Sequence, residues 1–538
     1  MTHLCQQKRR FLRPLPLVLG LMAIPSYSAL AQAPSGPTEQ FNNLTTLSGG
    51  PLGLQQVALI TLKNSPTIEQ GKLGVYSARA GARMASGAFD IGTSVLGSAN
   101  ENRPAFGFDQ DTQDLTFGLN KGFRTGIRTN VSAGISRIDN RVSPQDTNNI
   151  SNLNLSITIP LLKGRGYVSA AAGEKSAQLQ SQAAELNFYH GISKILLAST
   201  NAYWDYKAAI ENLKVQENSE KMVQEWTNAA ADAIKSRYGE AALKKFQAEK
   251  NRIDGYLSDK RRNTIAAKDR VGSTKGALGV IMGIQPADVA NIGEPSQNFS
   301  SEWGDILAKL EQQHILNKWV ATAIENRLDI QAAKLNQEAS AVQLAKARQD
   351  VLPQLNFGLH AGRNAIELGD GYNRYVDALN SDIRGTDAGA TLTFSYPLGN
   401  NFAEGQRDLA NATHSLSVIN TNDLIRTIPV LIGIDAGGLK ARLKEAVAAK
   451  KSVENYESSL RGRYNSMRNR FFEDPNAFFN LMDTEEKLTE ASNNLVNSLL
   501  GLAKAIAKLR FQTGTIFIGG SMDTYELELG ELSEIPSL

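Results

Sequence analysis

From Leu161 to Gln285 the chain contains no proline, and Ala, Lys, Glu, Gln and Leu dominate the stretch. These are strong helix formers, so the run predicts helix over nearly its whole length, interrupted near Gly239. The expected products are a rising helix of ~70 residues and a returning one of ~40, about 100 Å and 60 Å long. Helices of that length cannot be buried inside one compact domain and must pack side by side as an antiparallel coiled coil. The second half repeats the pattern from about Phe402 to Gln512, broken near Pro475. Its last helix places Leu495, Leu499, Leu502, Ile506 and Leu509 four and three residues apart in alternation, a coiled-coil seam. Pro429 and Gly437-Gly438 fall inside the second rising helix and predict a kink or break there.

The two halves read as copies of one plan. Asn64 to Leu73 aligns without a gap with Asn326 to Leu335, sharing Asn, Ile, Lys and Leu at a constant offset of 262. Further on, Thr158-Ile-Pro-Leu161 matches Ser395-Tyr-Pro-Leu398, and Arg237-Tyr238 matches Arg470-Phe471. Three matches in one order point to internal duplication. Each half has a strand region between its opening helix and its long hairpin. Leu153, Leu155, Ile157 and Ile159 alternate with Asn, Ser and Thr; so do Leu115, Phe117 and Leu119, then Leu355, Phe357 and Leu359, then Ala390, Leu392, Phe394 and Tyr396. Such alternation suits a soluble sandwich or a barrel with lipid outside and water inside, and the small neutral partners favour the barrel.

The N-terminus carries Lys8, Arg9, Arg10 and Arg13, an apolar run from Leu15 to Ile24, and Ala29-Leu30-Ala31. This is the pattern of a cleaved secretory signal, too short to span a bilayer. With those four cations gone, the 57 basic and 54 acidic residues come close to balance, so charge gives no reason to expect nucleic acid. The one cysteine, Cys5, leaves too; it precedes the apolar run and is no lipidation site. No later stretch is long and apolar enough for a membrane helix, so any crossing must use strands closed into a barrel. The resulting division is a signal segment (1–31), a linker (32–51) and a first repeat (52–285, with helix 54–88, strands 89–162 and hairpin 163–284). A connector (286–315), a second repeat (316–512, with helix 316–352, strands 353–399 and hairpin 401–512) and a mobile acidic tail (513–538) follow.

Catalytic signals are missing. His190, His314, His360 and His414 are scattered without metal-ligand spacing, and neither HExxH nor GxSxG occurs. Gly164-Arg-Gly166 lacks the strand-turn-helix setting of a dinucleotide site. Lys260-Arg261-Arg262 reads as a solvated helix face. No enzyme activity, cofactor or metal is expected.

Taken in order, several segments resemble the TolC-like outer-membrane channel family over nearly the whole mature chain. Asn326-Arg-Leu-Asp-Ile330, Ala345-Lys-Ala-Arg348 and Leu352-Pro353 are similar to its helix-to-strand entry. Ile159-Pro-Leu-Leu-Lys-Gly164 and Tyr396-Pro-Leu-Gly399 are similar to its strand-to-helix exits. Ser236-Arg-Tyr-Gly239 with Phe246-Gln-Ala-Glu249, and Leu481-Met-Asp483 through Glu490-Ala491 to Gln512-Thr-Gly514, resemble its periplasmic turns. The resemblance implies an α+β membrane protein and a homotrimer. Each subunit would lend four or more strands to a shared twelve-stranded β-barrel, continued by a long antiparallel helical tunnel. The region from Gln113 to Arg137 looks like an extra strand pair, either lengthening the barrel or folding into the outer loop.

The function implied is a passive conduit of a tripartite efflux pump or type I secretion system. Its partners would be a periplasmic adaptor (membrane fusion protein), an inner-membrane pump and outer-membrane lipid. The rival readings are a periplasmic coiled-coil adaptor and a barrel enzyme or adhesin. The family's two pore-facing Asp, three residues apart, match Asn480 and Asp483 here, and three-fold symmetry would make Asp483 a ring that attracts cations. Other tip contacts do not carry over: Lys245 stands where relatives have Asp, and Phe471 and Asn476 where they have Tyr and Arg. A latch of reversed polarity, Lys244 or Lys245 with Glu473 or Asp474, is the alternative to plain surface charge. The turns at Tyr238-Gly239 and Phe472 to Pro475 would dock the adaptor.

Overall fold

Where helices stop in this chain follows from proline, glycine and what packs on them. The computed structural model describes residues 49–538 except 104–108, 141–146, 239–246, 301–306, 308–309, 311–312, 370, 372, 471–475, 520–527, 530–531 and 537–538. All of these described residues belong to one unit, Thr46–Leu538. Each opening helix, expected to be continuous, is a pair: α1 Leu54–Asn64 with α2 Pro66–Ser86, and later α6 Gln313–Asn326 with α7 Leu328–Asp350. At the first break Pro66 pushes Ser65 into extended backbone, ψ 120°. The second break, at Arg327 with ψ 113°, has no proline and is imposed by packing. A glycine just past the end of a returning helix covers each break. Gly283 has φ +69°, and a Cβ there would lie 2.3 Å from the Asn64 carbonyl oxygen. Gly514, φ +70°, sits against the backbone of Asn326 and Arg327.

The long hairpins are α4 Ala172–Tyr238 (67 residues) with α5 Gln247–Met282 (36), and α9 Asn401–Arg470 (70) with α10 Asn476–Thr513 (38). A short α3, Tyr167–Ala170, precedes α4. At about 1.5 Å per residue, α9 is about 105 Å long. It continues through Pro429 without the expected break. A proline inside a helix costs about 3 kcal/mol. Ile428, Ile432, Leu439 and Leu443 bracket it, all essentially fully buried, and each contributes about 1.5–3 kcal/mol. Tertiary burial therefore outweighs the lost hydrogen bond.

Next to the sheet the helices form a row: α2 packs on α4, α4 on α7, and α7 on α9. Towards the other end α4 packs on α5 and α10, and α10 on α9. Between these regions lie two apolar cores. One is built around Leu54, Leu196, Tyr203 and Met282, and Leu328, Leu500 and Phe511 of the second half pack against it. The other lies within the second half, around Trp319, Ile330, Ile432 and Leu509. The acidic tail, expected to be mobile, contributes to them where it is described. Ile516 and Leu532 are buried, β7 Phe517–Gly519 pairs with β8 Glu528–Leu529, and Phe517 stacks on Tyr189 at 5.6 Å. Its few apolar residues, not its charge, decide its placement.

Six strands make one antiparallel sheet in sequence order: β1 Ile91–Asn102, β2 Gln110–Gly122, β3 Arg128–Asn140, β4 Asn148–Pro160, β5 Gln354–Leu368 and β6 Arg384–Ser395. The sheet thus has six strands, within the expected four or more and including the extra pair, and three subunits using all of them cannot make the expected twelve-stranded barrel. The register gathers every alternating run onto one face. Thr93, Leu119, Val131, Leu155, Ala361 and Ala388 form one cross-strand row. The row behind it on the opposite face is Ser94, Gly118, Ser132, Asn154, Gly362 and Asp387. Val95, Leu392 and Phe394, on the apolar face, are about two-thirds exposed, an apolar area that a soluble monomer does not leave uncovered. A helix in the β5–β6 connection, α8 Arg374–Asn380, packs on β3, β4 and β5, and Ser151 donates to its Ala378 carbonyl at 2.7 Å. No described helix is long and apolar enough to cross a membrane.

Gly283→Ala is expected to lower stability by about 1–3 kcal/mol, through left-handed strain and collision with the Asn64 carbonyl. Gly74→Ala, on open α2 surface, should be neutral or slightly stabilising. Thermal unfolding of the purified variants checks the difference.

Candidate functional site

Far from the sheet, the ends of α4, α5, α9 and α10 close around Val223, Trp226, Ile253, Leu257, Leu460, Phe478, Leu481 and Met482. Trp226 of α4 stacks on Tyr464 of α9 at 6.2 Å, and the Arg252 guanidinium lies 3.8 Å from the centre of the Phe479 ring. With Leu481 and Met482 turned inward, the helical period turns Asn480 and Asp483 outward. Both are exposed, three residues apart on one face of α10. Tyr238 ends α4, with its side chain outside the described atoms. Gly239, Lys244, Lys245, Phe472, Glu473, Asp474 and Pro475 lie outside the described residues, so the latch and most of the docking turns have no geometry to report.

Beside Asp483 is a group the sequence reading passed over. Glu485 is 1 % exposed, and its carboxylate pairs with Lys260 Nζ of α5 at 2.7 Å. It also accepts hydrogen bonds from Ser219 Oγ of α4 at 2.5 Å, Tyr256 Oη of α5 at 2.6 Å and Thr489 Oγ1 at 2.6 Å. Three helices therefore meet on one buried carboxylate whose lone pairs are well used, the condition under which a buried charge is tolerated. Burial first, then the charge and hydrogen bond of Glu485, push the Tyr256 phenol far above its ordinary value, so it remains a donor. Lys260 is thus buried, and only Arg261 and Arg262 occupy the solvated face assigned to all three.

A signal for Glu485 existed. Extending the α10 seam backwards by sevens carries Leu509, Leu502 and Leu495 to Leu488 and Leu481, and carries Ile506 and Leu499 to Ser492, Glu485 and Phe478. Glu485 therefore holds a core position. Lys260 had no comparable cue.

At the break between α6 and α7, residues of the second half meet the end of α10, and His190 of α4 joins them from the first half. Arg327 donates to Gln512 Oε1 at 2.7 Å and pairs with Asp329 at 2.7 Å, while His190 lies 3.7 Å from Asp329. Burial pushes the Asp329 carboxyl up, but the hydrogen bond and charge of Arg327 outweigh it and hold the group below its ordinary value. Burial pushes His190 down, against the pull of Asp329. These contacts are structural: they set the helix break at Arg327. Among the described residues no three His, Cys, Asp or Glu side chains gather as a metal site.

Glu485→Ala strands the Lys260 ammonium and should destabilise this end by roughly 3–5 kcal/mol. The pair Glu485→Leu with Lys260→Met should recover most of that loss, both read by thermal or denaturant unfolding. His190 makes a pH prediction. Its folded value is depressed, so the unfolded chain takes up the proton first and stability falls as pH drops below about 6.5. His190→Phe should remove that contribution, at most about 1.4 kcal/mol per pH unit.

No protein-family model and no curated sequence relative matches the chain. Solved structures do. The chain is similar to the outer membrane protein VceC of Vibrio cholerae, at 17 % identity over 86 % of this chain and 96 % of that one, with TM-score 0.61. It is similar to the outer-membrane channel OprN, at 15 % identity over 89 % and 91 %, TM-score 0.60. It is also similar to the CmeC outer membrane channel of Campylobacter jejuni, at 13 % identity over 86 % and 85 %, TM-score 0.62. The chain has the fold of these TolC-like outer-membrane channels.

Proposed function

We propose that this chain is the outer-membrane channel subunit of a tripartite efflux pump or type I secretion system in a Gram-negative type of cell. It is a passive conduit from periplasm to exterior, gated at the periplasmic helix tips. One observation carries the reading: a sheet apolar on one face and polar on the other ends in two unpaired edges, β1 and β6. Hydrocarbon does not tolerate unpaired backbone groups, so the edges must be closed by further copies. β1 leads away from the helices and β6 returns, so β6 of one copy meets β1 of the next in antiparallel register.

The helices support the same closure. β1 follows α2, and β6 leads into α9, the two ends of the helical row. α9 exposes Phe402, Leu409 and Leu416 at intervals of seven, then Ile419, Val430 and Ile434. That is a coiled-coil face with no partner among the described residues of its own chain. α2 exposes Leu73, Tyr76 and Met84 at the opposite end of the row. A second copy that joins β6 to β1 also brings α9 to α2, a head-to-tail contact that closes into a ring when the rotation fits. Three copies of an internally duplicated chain make the homotrimer. A periplasmic adaptor with no barrel would have no use for the exposed apolar sheet face.

Asn480 and Asp483 face the lumen in this reading, and three Asp483 carboxylates form its narrowest charged ring. Lys244, Lys245, Glu473 and Asp474 form the latch, and Tyr238, Gly239, Phe472 and Pro475 the surface for the adaptor of an inner-membrane pump. The purified protein should form conducting pores in planar lipid and run as a heat-modifiable oligomer from outer-membrane fractions; a soluble monomer without pores would end this reading. Asp483→Asn should lower cation selectivity several-fold, and Lys244→Glu with Lys245→Glu should raise single-channel conductance. Unchanged currents would assign those side chains to the solvated outside.

A further inference from the structure

The β2–β3 hairpin is no surface loop. Its strands pair along nearly their whole length with β1, from Ile91 with Lys121 to Asn102 with Gln110, and with β4, from Arg128 with Thr158 to Ile138 with Asn148. It lies between the strand that leaves α2 and the strand that leads towards α4. Its residues keep the sheet's two-sidedness: Leu115, Phe117, Leu119, Val131, Ala133 and Ile135 on the apolar face, Asp114, Thr116, Ser132 and Ser136 on the polar one. On the polar face Asp114 accepts from Ser98 Oγ of β1 at 2.9 Å and from Ser136 Oγ of β3 at 2.5 Å, which ties the hairpin to its neighbour.

The hairpin's turn is a second, independent observation. It lies at the helix end of the sheet and is fastened on both sides. Arg124 grips Glu174 of α4 with two hydrogen bonds of 2.6 Å and covers the Phe89 ring at 4.8 Å, just ahead of β1. Gly166 N–H donates to the Thr125 carbonyl at 2.9 Å. Gly126, φ +90°, fits so closely that a Cβ would lie 2.2 Å from the Gly164 carbonyl oxygen. A hairpin held this way cannot swing out of the sheet into an outer loop.

We infer that the channel has an eighteen-stranded barrel and an exit wider than its helical tunnel, so that the outer mouth does not sieve cargo by size. This rests on the trimeric channel reading above, with six strands from each of three copies. With strands about 4.8 Å apart and tilted about 40°, eighteen close at a diameter of about 36 Å, against about 24 Å for twelve. The cross-section is roughly doubled. The helices gain no matching insertion, because the hairpin returns the chain to the junction it left. Ser, Thr, Asn and Gly make up most of the polar face of β1 to β4, with Leu96, Arg128, Ile138 and Ile150 among the larger exceptions, so most of the added width stays open.

Electron cryo-microscopy of the full chain in lipid nanodiscs counts the strands. Eighteen, with β2 and β3 between β1 and β4 in each copy, is the expected result. A twelve-stranded barrel with the hairpin outside it overturns this inference and leaves the channel standing, whereas no closed barrel overturns the channel itself. A functional readout uses a variant in which residues 103–147 are replaced by a short turn that joins β1 directly to β4. Neutral polymers added from the outer side should enter the unmodified pore up to a radius about 1.5-fold larger than they enter the variant. Equal cut-offs overturn the claim that the hairpin widens the exit. Oxidation of Ser132→Cys with Asn154→Cys, in a Cys5→Ser background, should cross-link β3 to β4; failure in a protein that still forms pores also overturns it.

Discussion

Backbone polarity at the sheet edges governs this molecule. Each unpaired N–H or C=O placed in hydrocarbon costs several kcal/mol, and β1 and β6 each present an edge of 12 residues. No side-chain substitution could relieve that. In the channel we propose, copies relieve it for one another, and an even number of strands per chain keeps every junction antiparallel. The apolar face then meets lipid, the polar face water, and the unpartnered stripe on α9 finds its cover in the same step.

The helical part follows a different balance. Its length comes from propensity, but its continuity and its breaks come from burial. α9 runs through Pro429 because isoleucines on either side are buried, whereas the α6–α7 helix breaks at Arg327 although no proline is there. At the far end, Glu485 and Lys260 place an ion pair beside a core made of Val, Trp, Ile, Leu, Phe and Met. Such a pair adds little net stability over apolar residues of the same size, yet it penalises any sliding of α10 against α4 and α5 that would separate the charges. A gate that opens by helix movement at Asp483 would have to move around this fixed point.

Much of the architecture was legible in the chain because periodicity is a local property. Alternation marked the strands, absence of proline marked the hairpins, and the four-three spacing from Leu495 marked the α10 seam. The misreadings share one cause, which is that local pattern does not reveal what lies opposite. Lys260 and Glu485 look like members of charged runs until their helices are brought together. The tail after Gln512 looks acidic and loose until Ile516 and Leu532 find a core.

The sequence by itself determined the class of the long helices and of the alternating strands, the order of those elements and the duplication they suggest, since propensity and hydrophobic period act between residues a few positions apart. Only the tertiary structure decided that the strands from Gln110 to Asn140 belong inside the sheet, that Glu485 is buried and that Pro429 is tolerated. Each of those depends on contacts between residues far apart in the chain, and burial, which sets their energies, exists only once those residues have met.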